Sequence, residues 1–331
     1  MLGRGPVEAR PEVRIGRSDV GRRVSVRRVD SVADGRPVFR DVIGVLTSWD
    51  GAGLTVEPRT GGPVRFAEEL LVAGKPVPAF PARRAAAPAA TPEALQRTAS
   101  RGWPAVEREQ LGEWTLRAAA GFTKRANSVQ ALGDPGLPLD EALARADAWY
   151  AARGLPLHAE VTVPGSPDGL DALLGPAITP TLVRTAPLGA LARAGRPADV
   201  RLSRTAGPEW LPLYGLADDD PARAAALRVL HGGPSVWFAR VEGPDSAPLA
   251  IGRAAVDGPW ACFSAIETAP AARRRGLATA VMAALAARAA EEGATGAYLQ
   301  VEADNAGAIA LYDGLGFTTS HTYHYARLPQ R

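Results

Sequence analysis

Apolar and polar residues alternate in short runs over the first 80 residues. The runs predict strands at 24–29, 40–47, 54–56 and 63–66, separated by turn signals at Asp50-Gly51 and Gly61-Gly62. Several short strands joined by glycine turns favour a small, closed or nearly closed β-barrel. We therefore predict an all-β domain over residues 1–80, followed by a Pro/Ala linker over residues 81–92.

Beyond the linker the apolar spacing changes between a period of two and a period of 3.6. Leu139, Ala142, Leu143 and Ala146 follow helical spacing, which predicts an amphipathic helix over 139–153. Further helices are predicted at 107–111, 168–174, 220–231 and 277–292, and strands at 113–117, 128–131, 157–163, 181–184, 235–241, 249–256, 260–268, 298–302 and 318–327. The mixture indicates an α/β (α+β) region.

One order of elements occurs twice in this region. A helix, a glycine, a strand, a short helix and a second glycine follow one another from residue 139 and again from residue 277, at an offset of about 140 residues. A repeat of domain length predicts two copies of one fold. We assign them to residues 93–200 and 201–331.

The candidate chemistry lies between the strand at 260–268 and the helix at 277–292. The joining loop is Arg273-Arg274-Arg275-Gly276-Leu277-Ala278. A strand that feeds a helix in this way leaves the first backbone N–H groups of the helix unpaired, at the positive end of its dipole. Gly276 and Ala278 let an anion approach the backbone, and three arginines add charge. The pattern favours a pyrophosphate cradle, and the alternative is a solvated basic turn before a surface helix.

Two motifs in sequence order resemble the GNAT acetyltransferase superfamily. They are Arg273-x-x-Gly276-x-Ala278 and Asn305-x-x-Ala308-x-x-x-Tyr312-x-x-x-Gly316-Phe317. The resemblance covers about the last 130 residues, the size of one small domain. It implies tandem GNAT-like mixed sheets flanked by helices, and the whole plan resembles an actinobacterial group with an N-terminal Src-homology-3-like barrel, a degenerate half and a catalytic half. Some of that group are described as histone-type or protein acetyltransferases.

The resemblance also implies roles for individual residues. Acetyl-CoA would be the cosubstrate, and its pantetheine arm would pair with the backbone of Ile266 and Thr268, because its two amides can mimic a neighbouring strand. Its pyrophosphate would lie on the segment from Arg273 to Thr279, and Asn305 would be a further cofactor contact. The resemblance implies Tyr312 as the general acid for the leaving thiolate, and the alternative interpretation of this tyrosine is a core aromatic. Glu267 and Glu302 are candidate bases, with Glu267 favoured, and each is otherwise an exposed strand carboxylate.

The first copy lacks these motifs. Gly133-Asp-Pro-Gly-Leu-Pro138 precedes its helix, and its two prolines remove amide donors. Gly165 stands where the second copy has Asn305. We therefore interpret residues 93–200 as a degenerate half that does not bind CoA. Its polar segment 121–128 either lines the substrate cleft or forms an ordinary hairpin.

The acceptor and the role of the barrel stay open. The amine is a protein lysine, a protein N-terminus or a small molecule. A second hypothesis is a non-catalytic acyl-CoA-binding regulator with the barrel as its output module. A third is a nucleic-acid-binding protein, because residues 1–84 contain 15 Lys and Arg against 10 Asp and Glu. The alternative interpretation of the arginines near the start of this segment is a solvated basic face. The cluster comprises Arg10, Arg14, Arg17, Arg22, Arg23, Arg27 and Arg28.

Composition excludes several other classes. The one cysteine, Cys262, cannot form an internal disulfide and is interpreted as a buried structural thiol, and the four histidines are too scattered to predict a metal site. No apolar run is long enough to span a bilayer, and the N-terminus lacks a signal-peptide core. We expect a cytoplasmic protein of two or three domains that uses neither a metal nor a membrane.

Overall fold

A computed structural model describes residues 13–33, 35–58, 61–77, 87–194, 199–243 and 247–329. The chain divides into two compact units, Met1–Arg83 and Arg84–Arg331. Arg10 and half of the predicted linker, residues 81–86, lie outside the described residues. Within the described ranges no helix is long and apolar enough to cross a membrane.

The N-terminal unit is a five-stranded antiparallel sheet with the order β4-β3-β2-β1-β5. The strands are β1 (Arg23–Ala33), β2 (Arg36–Asp50), β3 (Gly53–Pro58), β4 (Val64–Phe66) and β5 (Leu71–Pro76). Alternate residues of β1 and β3, Val24 and Val26 with Leu54 and Val56, are buried on one face. In the described part of this unit β4 and β5 do not pair with each other. The Src-homology-3-like assignment therefore stays a prediction.

The second unit combines one eleven-stranded mixed sheet with flanking helices. Its first elements are α1 (Pro92–Gly102), β6 (Glu107–Leu111), β7 (Trp114–Ala118), β8 (Val129–Gln130), α2 (Leu139–Ala151), β9 (Ala159–Val163), β10 (Ile178–Pro187) and α3 (Leu188–Ala194). Its later elements are β11 (Val200–Ser203), α4 (Leu211–Tyr214), α5 (Arg223–His231), β12 (Ser235–Glu242), β13 (Pro248–Asp257), β14 (Trp260–Thr268), α6 (Leu277–Glu291), β15 (Gly296–Glu302), α7 (Ala306–Gly314) and β16 (Thr318–Ala326).

The predicted helix at 107–111 is wrong, because this segment is strand β6. It forms a hairpin with β7, with Leu111 opposite Trp114 and Gly112 in the turn at a φ of +57°. The local composition, Glu-Arg-Glu-Gln-Leu, favours a helix by propensity. Pairing with the fully buried strand β7 overrides that preference.

Two strand–helix–strand units repeat within the sheet. β8 and β9 are parallel and joined through α2, and β14 and β15 are parallel and joined through α6. The remaining neighbours in the sheet are antiparallel. Cys262 of β14 is a free, buried thiol.

The last strand of each repeat pairs with a strand of the other repeat. The sheet order is β11-β12-β13-β14-β15-β10-β16-β9-β8-β7-β6. β10 follows β9 in the chain but pairs with β15, and β16 follows β15 but pairs with β9. This reciprocal exchange makes residues 84–331 one compact unit. The division at residue 200 therefore stays a prediction.

A buried polar network connects the exchanged strand β16 to the first repeat. The Arg117 guanidinium lies 2.8 Å from the Glu160 carboxylate, and these side chains are 2% and 0% exposed. Gln96 donates to Glu160 at 2.9 Å, and its oxygen accepts from Nε2 of His321 at 3.0 Å. Burial lowers the pKa of His321 to about 4, so the ring is neutral at pH 7. The network gives hydrogen-bond partners to buried polar side chains of four elements, α1, β7, β9 and β16.

Replacing Arg117 by Met should lower the free energy of unfolding by about 3 to 5 kcal/mol, because Glu160 is left as an uncompensated buried charge. Adding Glu160→Gln should recover most of the loss, since the amide oxygen still accepts from Gln96. The matched control is Arg145→Met, which removes an exposed pair with Glu109 and should change stability by less than about 1 kcal/mol. Urea unfolding of the four proteins measures this, and equal stabilities for Arg117→Met and Arg145→Met would contradict it.

Candidate functional site

Strands β14 and β15 separate partway along their length. Their parallel pairing runs from Trp260 opposite Gly296 to Phe263 opposite Leu299. Beyond that point β14 stays paired with β13, and β15 stays paired with β10. A gap therefore opens between two strands that are neighbours at their other ends.

A β-bulge lies where the strands separate. The register of β14 against β13 shifts between Ile251 and Arg253, and Ala265 has a φ of +51°. A bulge adds one residue to a strand and increases its local bend and twist. The bend directs the end of β14 away from β15.

The backbone groups that face the gap follow from the alternation of the strand. The N–H of Ala269 donates to the carbonyl of Leu249 in β13 at 2.9 Å. Successive residues of an antiparallel strand direct their N–H and C=O groups to alternate sides, so Glu267 also faces β13. Ile266 and Thr268 consequently direct their backbone groups into the gap. These are the two residues that the sequence assigns to pantetheine pairing.

Helix α6 begins without a side-chain cap. Its N-cap, Gly276, has a φ of +78°, and no side chain hydrogen-bonds to the first turn. The first backbone hydrogen bond at this end of the helix runs from the N–H of Ala280 to the carbonyl of Gly276. Within the ranges that the structure describes, the N–H groups of Leu277, Ala278 and Thr279 have no partner. Three unpaired donors at the positive end of a 15-residue helix suit an anion.

The loop before α6 adds positive charge. Arg273, Arg274 and Arg275 are exposed, and Arg274 has a φ of +63°. A Cβ on Gly276 would meet no atom within 4 Å. The positive φ at position 276 therefore requires a glycine there, although a side chain would have enough space.

A cavity of about 490 Å³ lies beside the gap. Glu267 of β14, Glu302 of β15 and Tyr312 of α7 all line it. So do Thr123, Lys124 and Arg125, which belong to the polar segment between β7 and β8. The structure thus brings the three predicted catalytic residues to one cavity. From the sequence, the segment 121–128 either lines a cleft or forms an ordinary hairpin, and its residues 123–125 lie at the wall of this cavity.

Backbone strain is concentrated around this cavity. Five non-glycine residues of the described chain have positive φ values. Thr123, Thr179 and Ala265 line the cavity, and a fourth, Arg274, lies in the loop before α6. Each such conformation costs about 1 to 3 kcal/mol and persists where the surroundings impose it, most often at functional sites.

Tyr312 and Glu267 have shifted acidities. Tyr312 is 9% exposed and packs edge-on against Phe317. Burial, with a smaller effect from the charge of Glu267, raises the pKa of Tyr312 to about 12. Partial burial likewise raises the pKa of Glu267 above its usual value, although its side chain is exposed at the cavity and Arg273 acts in the opposite direction. Tyr312 is therefore a protonated hydroxyl at pH 7, and Glu267 is a better base than an ordinary glutamate.

Asn305 has a structural contact of its own. It is the N-cap of α7, where its Oδ1 accepts from the N–H of Ala308 at 3.1 Å. Its side chain also lines the cavity. The amide nitrogen remains available to a ligand.

Sequence reasoning missed several cavity residues from the first repeat and from α4. They include Trp103, Thr179, Thr181 and Tyr214. No local motif marks them, and Thr179 and Thr181 reach the site on the exchanged strand β10. Tyr323 and Tyr325 of β16 also line the cavity. His321 instead belongs to the buried network, and His324 lies 3.0 Å from Asp171.

Comparisons with known proteins agree on the type of fold and activity. Residues 90–326 match the family model described as "Probable histone acetyltransferase Rv0428c C-terminal". "Probable histone acetyltransferase Rv0428c" of Mycobacterium tuberculosis is 31% identical over 318 residues, 92% of this chain and 94% of that protein. "Uncharacterized N-acetyltransferase YobR" of Bacillus subtilis is 28% identical over 241 residues, 70% of this chain and 96% of that protein. The structure of a GCN5-related N-acetyltransferase from Kribbella flavida has a TM-score of 0.53 at 18% identity, over 72% of this chain and 96% of that one. The predicted mixed α+β fold class is confirmed.

Replacing Gly276 by Glu should weaken the binding of inorganic pyrophosphate at least about tenfold, because the carboxylate repels the anion at the helix N-terminus. The matched control is Gly293→Glu, since Gly293 follows α6 with a φ of +92° and also has no atom near its Cβ position. Both changes carry the same backbone strain and the same charge. Isothermal titration calorimetry measures the dissociation constants, and equal weakening by the two changes would contradict the site.

Proposed function

Because this chain belongs to the GNAT family of N-acetyltransferases, we propose that it transfers the acetyl group of acetyl-CoA directly to a primary amine in the cavity beside β14 and β15. The observation that supports this most is the gap between the two strands, followed within nine residues by the uncapped start of α6. A strand edge that offers unpaired amides and carbonyls fits an arm with two amides of its own. A helix start with free N–H groups fits the pyrophosphate.

The cofactor contacts follow from this fit. The N–H groups of Leu277, Ala278 and Thr279 and the charges of Arg273, Arg274 and Arg275 would hold the pyrophosphate. The backbone of Ile266 and Thr268 would hold the pantetheine arm, and Asn305 would contribute its amide. Acetyl-CoA supplies an activated thioester, whose acyl group an amine can attack without a covalent enzyme intermediate.

We assign the proton transfers to Glu267 and Tyr312, whose pKa values are both raised. As the amine nitrogen forms its bond to the acyl carbon, the Glu267 carboxylate accepts the proton that the nitrogen loses. As the carbon–sulfur bond breaks, the Tyr312 hydroxyl donates to the departing sulfur. Glu302 is the second candidate base, and it lines the same cavity from β15.

The first repeat supports a single cofactor site. Its equivalent gap is closed, because the N–H of Ala131 donates to Glu160 and the N–H of Gly133 donates to Gly165. Asp140 and Glu141 occupy the first turn of α2, where an anion would lie in the other repeat. The hydrogen bonds between these strands leave no gap for a pantetheine arm, and the two acids would repel a pyrophosphate. Both observations fit the interpretation of residues 93–200 as a degenerate half.

The alternative functions of the N-terminal unit receive less support. Several of its arginines pair with acids: Arg22 with Asp19, Arg27 with Asp41, and Arg28 with Asp30. This neutralisation weakens the surface field that nucleic-acid binding requires. A regulator that only binds acyl-CoA needs no proton donor. The position of Tyr312 at the cavity therefore fits an enzyme better than such a regulator.

Replacing Tyr312 by Phe tests catalysis against binding. We expect kcat for thiol release in the presence of an amine panel to fall about 100-fold or more, because the general acid is lost. The dissociation constant for acetyl-CoA, measured by calorimetry, should stay within about twofold, since the ring still packs on Phe317. Unchanged turnover would remove the role of Tyr312, and no acetyl-CoA binding by the natural protein would remove the proposed function.

The pH dependence of kcat should identify the base. A raised pKa means that Glu267 keeps its proton to higher pH than an ordinary glutamate, so the rate should rise with pH through a midpoint above 4.5. Glu267→Gln should abolish this acidic limb, whereas Glu302→Gln should retain it. If the limb disappears only in Glu302→Gln, the base is Glu302.

A further inference from the structure

Arg125 is a half-buried cation that lines the cavity, whereas the buried arginines of the second unit lie elsewhere. Arg117 pairs with Glu160, and Arg184 pairs with Asp313. Arg253 donates to the carbonyls of Leu230 and Gly232. Within the described residues Arg125 has no acidic partner. A guanidinium at a cavity wall without such a partner suits an anionic ligand.

The surroundings of Arg125 are aromatic rather than acidic. Its guanidinium carbon lies 5.6 Å from the ring centre of Trp103, and its Nε is buried without a hydrogen-bond partner. Tyr323 and Tyr325 line the same cavity. The guanidinium of Arg125 stays protonated at every accessible pH. Its neighbour Lys124 is exposed, lines the same cavity and likewise has no acidic partner among the described residues.

The segment that carries Arg125 is held in place by one side chain. Oδ1 of Asn127 accepts from the N–H groups of Ala119 and Gly121 at 2.8 and 2.9 Å. Its Nδ2 donates to the carbonyls of Phe122 and Thr123 at 2.7 and 2.8 Å. These four bonds keep Thr123 at a φ of +56°. A strained and fully bonded loop of this kind presents its cation in a preorganised position.

The cavity therefore combines two cations with two carboxylates. Lys124 and Arg125 come from the first repeat, and Glu267 and Glu302 come from β14 and β15. All four residues line this one cavity together with Tyr214. A guanidinium binds a carboxylate or phosphate through paired N–H donors.

We infer that the acceptor is a small amine that also carries an oxyanion, with Arg125 binding the oxyanion while the amine lies at Glu267. This inference rests on the proposed acetyl transfer and names its substrate class. A strongly basic peptide fits the cavity poorly, because its further cations would lie against Lys124 and Arg125. The two sources of the oxyanion, a carboxylate and a phosphate, share the chemistry that Arg125 recognises.

The test compares matched acceptors with the full-length protein and acetyl-CoA, following thiol release. The carboxylate probes are the common amino acids, β-alanine and 4-aminobutyrate, each beside its neutral amide. Phosphoethanolamine is the phosphate probe, and a lysine-rich peptide is the basic probe. We expect kcat/KM for the best anionic amine to exceed that of its neutral counterpart about 10- to 100-fold, the effect of one hydrogen-bonded charge pair. The better of the carboxylate and phosphate probes identifies the anion.

Variants assign the preference to Arg125. Arg125→Gln should reduce the ratio of kcat/KM between anionic and neutral acceptors to near one, and Arg125→Lys should keep part of it. Lys124→Gln should reduce the ratio less, because its exposed charge is screened. Equal rates with anionic and neutral amines in the natural protein, or a preference for the lysine-rich peptide, would overturn the inference. Those results leave acetyl-CoA binding intact, whereas absence of acetyl-CoA binding by calorimetry would remove the proposed function and this inference with it.

Discussion

The reciprocal exchange of β10 and β16 is the constraint on which the second unit depends. Because each strand pairs with the other repeat, the ladder is continuous from β11 to β6 and neither repeat is complete alone. The exchange also decides which side chains meet. Thr181 of β10 and Tyr323 of β16 reach the cavity only because their strands lie beside β15 and each other. The buried network around Glu160 stabilises this arrangement by satisfying His321 on the exchanged strand.

The two repeats contain the same strand–helix–strand arrangement but differ between the strands and at the start of the helix. In the second repeat a bulge at Ala265 separates β14 from β15, and α6 begins with unpaired N–H groups behind three arginines. In the first repeat the equivalent strands stay hydrogen-bonded, and α2 begins with two acids. The first repeat thus lacks the strand gap and the acid-free helix start of the second repeat. It contributes instead a wall of the cavity through the segment that carries Arg125.

Arg117 and Arg125 of the first repeat illustrate two different uses of an arginine. Arg117 is buried and fully partnered, so its charge is cancelled inside the core. Arg125 is half-buried in a strained segment fixed by Asn127, and it lines a cavity that also contains Glu267. Within the described residues it has no acidic partner, which fits a site whose anion arrives as a ligand.

The sequence by itself determined the local elements and the cofactor-type motif. Glycine turns, helical spacing and the loop from Arg273 to Ala278 are local signals, and the strand–helix–strand repeat was predictable from their order. The backbone directions of Ile266 and Thr268, the left-handed angle of Gly276 and the cap by Asn305 agree with those signals. Only the tertiary structure decided the strand state of 107–111, the exchange of β10 and β16, and the placement of Arg125 and Glu267 at one cavity. The strand state of 107–111 depends on its hairpin with the buried strand β7. The other two depend on pairing between segments far apart in the chain, whose free energy comes from contacts that no local pattern contains.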